Sequence, residues 1–183
     1  MELGTGIQGP DRSSQSAGSL SRFALPLNEM AREKGLWSWL GTVLPPGQYS
    51  RIESPDTSPG FPDVHYQLKG GSPIALSHSG TIELKSADRP GAKIPFTDRH
   101  GMRKSQLMWI RDNLRFGGIV WVMAEIAPEI LVFRGEQAKS INGSPQDVLR
   151  EMAFVTLTRR DPERAVRQLH YLLINGMGMD YES

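Results

Sequence analysis

Cysteine is absent from this 183-residue chain. Its absence excludes disulfides, thiolate metal sites and cysteine nucleophiles, and it suits a reducing compartment. Histidine is scarce: His65, His78, His100 and His170 show no zinc-ligand spacing and have no cysteine to share a metal with. No apolar run approaches the roughly 18–20 residues that a bilayer crossing needs, so a transmembrane helix and a membrane partner are excluded. The first residues lack a basic stretch followed by an apolar one, so no secretory signal is expected and the cytoplasm is the expected location. The glycine-rich patterns of a P-loop, of a dinucleotide fold and of a nucleophile elbow are all missing. Excess charge of one sign is missing too, with 21 basic residues against 20 acidic ones and a net charge of +1.

What is present is unevenly placed. Residues 85–115 hold eight basic residues against three acidic ones, a local charge of +5 that leaves −4 for the rest of the chain. A local cationic segment beside a site matters more to a polyanion than the total does. Arginine outnumbers lysine 15 to 6, which suits bidentate phosphate contacts.

Residues 1–26 are rich in Gly, Ser, Gln and Pro with few apolar anchors, and they read as a disordered N-terminal tail. Residues 27–44 carry Leu27, Met30, Ala31, Trp37, Leu40 and Leu44 at helical spacing, ended by Pro45-Pro46-Gly47. Three strands follow, at 48–53, 62–68 and 81–86, separated by Pro- and Gly-rich breaks. Residues 75–80 fit no single pattern, and 86–101 read as a basic loop long enough to be functional. A helix at 102–116 runs into Gly117-Gly118, and strands are predicted at 119–124 and 129–134. Short helices at 145–152 and 162–174 close the chain, the second with Ala165, Leu169, Leu172 and Leu173 facing inward. Trp37, Trp39, Trp109 and Trp121 read as core. The fold class is α/β, a central mixed β-sheet flanked by helices.

The informative chemistry is Pro62-Asp63, followed twenty residues later by Glu83-Leu84-Lys85. Glu83 and Lys85 stand two apart on a strand, so they project from one face, and Asp63 lies on the polar face of the preceding strand. Antiparallel pairing of the two strands would bring both carboxylates and the ammonium into one pocket. Mg²⁺ or Mn²⁺ favours such oxygen ligands, and the Leu84 carbonyl would add another. The ion would polarise a phosphodiester and acidify a water, while Lys85 stabilises charge on the phosphoryl oxygens. A Glu-x-Lys on a solvent-facing strand is ordinary by itself; here Ile82 and Leu84 mark the strand as central, where an unpaired charge is costly.

Three motifs occur in order: Ser-Pro-Gly-Phe-Pro-Asp-Val at 58–64, Gly-Thr-Ile-Glu-Leu-Lys at 80–85, and Arg-Lys-Ser-Gln at 103–106 opening a helix. Together they resemble the PD-(D/E)xK nuclease superfamily, and within it the VRR-NUC and Holliday-junction-resolvase-like nucleases, including small phage-encoded ones. The resemblance covers about residues 27–134 and implies a restriction-endonuclease-like αβββαβ core, with 135–183 as a helical extension outside it. It implies that Asp63 and Glu83 are metal ligands, Lys85 is the catalytic lysine, and Gln106 matches the family glutamine bordering the site. An additional acidic ligand would come from Glu29, Glu33 or Glu53, among which the sequence does not choose. Arg99, His100, Arg103 and Lys104 would hold the DNA backbone. The resemblance thus implies a Mg²⁺- or Mn²⁺-dependent DNA endonuclease, in the host cytoplasm if phage-encoded, with RNA not excluded as substrate. Cutting branched or junction DNA would call for a homodimer. The alternative is a non-catalytic DNA-binding or virion-associated structural protein that keeps the fold.

Overall fold

The computed structural model describes residues 27–52, 60–68, 78–87, 89, 91–97 and 101–175, with backbone alone for 27–31 and 175. Six strands form one sheet in chain order: β1 (Gln48–Arg51), β2 (Val64–Leu68), β3 (His78–Ser86), β4 (Val120–Ile126), β5 (Glu129–Arg134) and β6 (Val155–Thr158). All neighbours are antiparallel except β3 and β4, which are parallel. A parallel neighbour needs a crossover, and α2 (Lys104–Arg115) supplies it.

Every residue of β4 is buried, as expected of a strand covered on both faces. Against one face lie α1 (Leu27–Val43) and α5 (Pro162–Asn175). Leu36, Leu40, Leu169 and Leu172 pack there on Tyr66, Ile82, Leu84 and Trp121. Against the other lie α2, α3 (Ala138–Ile141) and α4 (Gln146–Met152), where Ile110, Ile141 and Leu149 meet Val122, Ala124, Leu131 and Phe133. The result is a three-layer α/β/α arrangement around a mixed sheet.

The observed order of helix, three strands, helix, two strands matches the order read from sequence, and so do the inward Ala165, Leu169, Leu172 and Leu173 of α5. Several details differ. The buried stripe of α1 is Leu36, Leu40 and Val43, whereas Trp37 and Leu44 are only half-buried. Strand β3 starts at His78, because pairing with β2 extends back through the ambiguous stretch to Leu68↔His78. Strand β6 was not foreseen: four residues are too few to display a period, and they are drawn into the sheet by the free edge of β5. The basic loop after β3 is anchored, with Phe96 fully buried and Gly143 and Gln146 donating to the carbonyls of Phe96 and Lys93. Of the tryptophans only Trp121 is fully core; Trp37, Trp39 and Trp109 are half-buried. The predicted N-terminal tail lies outside the described residues. Among the described residues no helix is long and apolar enough to cross a membrane.

Candidate functional site

The sheet register builds the site. The last β2–β3 pair is Val64↔Ile82, so Asp63 is next in line opposite Glu83. Strand β2 stops there while β3 runs on to Ser86. The Leu84 N–H, left without a strand partner on that side, donates to Asp63 Oδ2 at 2.7 Å. Asp63 therefore stands in for the missing strand and is held against β3 by the backbone.

Glu83 and Lys85 are 0% and 2% exposed. The Lys85 ammonium donates to Glu83 Oε1 at 2.6 Å and to the Leu84 carbonyl at 3.2 Å. It also lies 3.6 Å from Glu33 Oε1, which α1 brings in on its inward side beside Leu36 and Leu40. From the other layer, Gln106 Nε2 donates to the same Glu83 Oε1. Gln106 Oε1, the oxygen of its side-chain amide, accepts the Arg103 N–H at 2.9 Å, closing the first turn of α2 and fixing the amide's orientation. Glu83 Oε2 is buried and has no hydrogen-bond partner among the described residues.

Charge and burial pull against each other here. Burial foremost, then the Asp63 carboxylate, push the Glu83 carboxyl up to about 8, while Lys85 draws it back down. Burial by itself would lower Lys85, but Glu83, Asp63 and Glu33 together hold its ammonium above the usual lysine range.

No known family, curated protein or solved structure matches this chain. Its chemistry is therefore read from the geometry.

Asp63, Glu83, Leu84, Lys85, Gln106 and Glu33 converge. Arg103 and Lys104 are exposed at the start of α2, next to Gln106. Arg111 and Arg115 are farther along α2 and line a separate groove of about 760 Å³ with Lys104, Leu107, Leu114 and Lys139. That groove has an apolar floor, a basic rim and Glu136 as its one carboxylate, so it lacks the acid pair the chemistry requires. Glu53, Arg99 and His100 lie outside the described residues, as does the side chain of Glu29. His65 is half-buried on β2 opposite Thr81.

The donor set suits a hard cation. The Asp63 carboxylate just before β2, the Glu83 carboxylate of β3 with its unpartnered Oε2, and the Leu84 carbonyl are all oxygen donors, the arrangement used for ions that keep several waters. Among the described residues no group of three His, Cys, Asp or Glu side chains stands together as a metal cluster, so the fit is that of a carboxylate pair. Two features escaped the sequence. One is Asp63's bond to the Leu84 backbone. The other is the contact of Phe61 with Trp109, ring centroids 5.0 Å apart; the signal was an aromatic residue two positions before Asp63 in a turn with no apolar periodicity.

Proposed function

We propose that this chain is a divalent-metal-dependent DNA nuclease of the PD-(D/E)xK type, acting in the cytoplasm and cutting branched or junction DNA as a homodimer. The observation that carries this reading is Glu83: a fully buried carboxylate with one oxygen unpartnered among the described residues, beside Lys85 on the same strand and Asp63 just before the neighbouring one. A buried carboxylate oxygen without a protein partner is costly unless a proton, a water or an ion meets it, and the neighbouring Asp63 carboxylate makes a cation the fitting partner. The order α1-β1-β2-β3-α2-β4 also agrees with the αβββαβ core of that superfamily.

Asp63 and Glu83 would hold Mg²⁺ or Mn²⁺, with the Leu84 carbonyl as a further oxygen. When bound, the ion supplies Lewis-acid polarisation of the phosphate and a more acidic water. Lys85 presents a fixed positive charge to the phosphoryl oxygens, where charge builds during cleavage. Gln106 and Glu33 position Glu83 and Lys85 from the two helix layers, and Arg103 and Lys104 are placed to take neighbouring phosphates.

Incubation with Mg²⁺ and a panel of linear, nicked, flapped and four-way DNAs tests the reading. Wild type should cleave at least one form, and Glu83→Ala none. Metal-dependent cleavage surviving in Glu83→Ala would remove the assignment. A second reading, a DNA-binding or virion-associated structural protein with the same fold, is favoured by one observation: the Lys85 ammonium is already engaged by Glu83 Oε1, at 2.6 Å. It predicts no change in melting temperature between Mn²⁺ and EDTA, whereas a metal site predicts stabilisation by the ion.

A further inference from the structure

An aromatic pair stands near the site: Trp109 packs against the core beneath α2, and Phe61 leans on its ring while staying partly open to solvent. Phe61 is 36% exposed, although Phe96 and Phe133 show that this fold buries phenylalanine completely where it needs core. Its ring meets Trp109 at a centroid distance of 5.0 Å and an interplanar angle of 57°. Trp109 lies three residues beyond Gln106 on α2, and Phe61 two residues before Asp63, at most about 7 Å along the chain. The loop is pressed onto the helix at Gly60, whose φ of 99° and tight approach to the Ser105 carbonyl leave no room for a Cβ. The turn that carries Phe61 is thus fixed against α2, its ring tilted on that of Trp109 and partly exposed, with exposed Arg103 and Lys104 at the start of the same helix.

A rigid, half-open aromatic ring next to cationic side chains is the apparatus that stacks nucleobases without reading their sequence. Bases within a duplex are stacked on each other and offer no free face. We propose that Phe61, backed by Trp109, stacks on an unpaired base flanking the phosphate held at Asp63, Glu83 and Lys85. Among branched substrates, the favoured class is then nucleic acid single-stranded at the cut, such as a flap or a junction with unpaired bases. The inference rests on the nuclease reading for the kind of ligand, and adds which part of it is recognised.

The test is fluorescence anisotropy in Ca²⁺ with three labelled probes: an oligothymidylate strand, the same strand with abasic sites, and a blunt duplex. Wild type should bind the base-bearing strand most tightly. Phe61→Ala should weaken that binding roughly tenfold or more, with Phe61→Tyr restoring it and the abasic strand showing no such loss. Equal loss on the base-bearing and abasic strands, or no loss on either, overturns the stacking role, as does absence of binding to every probe. Cleavage of the linear, nicked, flapped and four-way DNA panel in Mg²⁺ is read separately. Base-dependent binding without cleavage supports the stacking site and removes only the nuclease reading. Thermal melts confirm that the variants fold, which the ring's exposure favours.

Discussion

Asp63 has two tasks that point to different variants. Its carboxylate accepts the Leu84 N–H where β2 ends, and in the proposed reading it also binds the ion. Asp63→Asn keeps an acceptor oxygen and removes the charge, so it should fold nearly as stably as wild type and fail to cleave. Asp63→Ala strands the Leu84 N–H as well, and urea melts should show a further loss of about 1–3 kcal/mol. Cleavage by Asp63→Asn would count against its role as a metal ligand. Glu83 makes a prediction in pH. With its carboxyl lifted to about 8 from an ordinary 4.5, the folded state binds more protons than the unfolded state between those values. Its contribution to stability therefore falls as pH rises through that window. Lys85, raised above its ordinary 10.5, keeps its contribution throughout and loses it only at higher pH. The melting temperature of metal-free protein should drop from pH 5 to 8, and the drop should shrink in Glu83→Gln. Mn²⁺ should stabilise more at pH 8 than at pH 6, because ligand binding must displace the Glu83 proton. An identical pH profile for the two proteins would contradict the burial argument.

At the level of elements, α2 and the turn before β2 act as one unit. The helix delivers Gln106 to Glu83 and Trp109 to Phe61, and Gly60 lets the turn close on its first residues. Gly60→Ala forces a side chain into positive φ and against the Ser105 carbonyl. It should cost about 1 kcal/mol or more in a denaturant melt and displace Asp63 enough to abolish cleavage. Wild-type stability in that variant would show that the turn does not need its close approach. Periodicity in the sequence placed β3, β4, β5 and α5 well, because their apolar residues repeat over several turns or pleats. It misplaced the α1 stripe, where Trp37 and Leu44 offered as good a helical pattern as Leu36 and Val43, and it missed β6, whose four residues depend on a partner edge.

For the whole molecule, the site lies where three layers meet. β2 stops at Val64 while β3 continues, and in the gap Glu33 arrives from one helix layer and Gln106 from the other. Neither helix reaches the trio by sequence proximity. With a net charge of only +1 and basic residues concentrated at 85–115, nucleic-acid binding should depend on few phosphates. Anisotropy titrations across a range of KCl should give a log–log slope of magnitude about 2–4. A steep slope would place a broad polyanion surface elsewhere on the fold, and a flat one would remove phosphate contacts from Arg103 and Lys104.

The sequence alone determined which side chains share a face of β3, since alternation along a strand is a local property: Glu83 and Lys85 must point one way and Ile82 and Leu84 the other. It likewise determined the order of elements from α1 to β5. The tertiary structure decided the rest. That Glu33 reaches Lys85, that Asp63 takes the Leu84 N–H where β2 leaves the edge of β3 open, and that Phe61 stands partly open against Trp109 all follow from where β2 ends and how α2 crosses the sheet. Those are matters of long-range register and packing, and no local pattern encodes them.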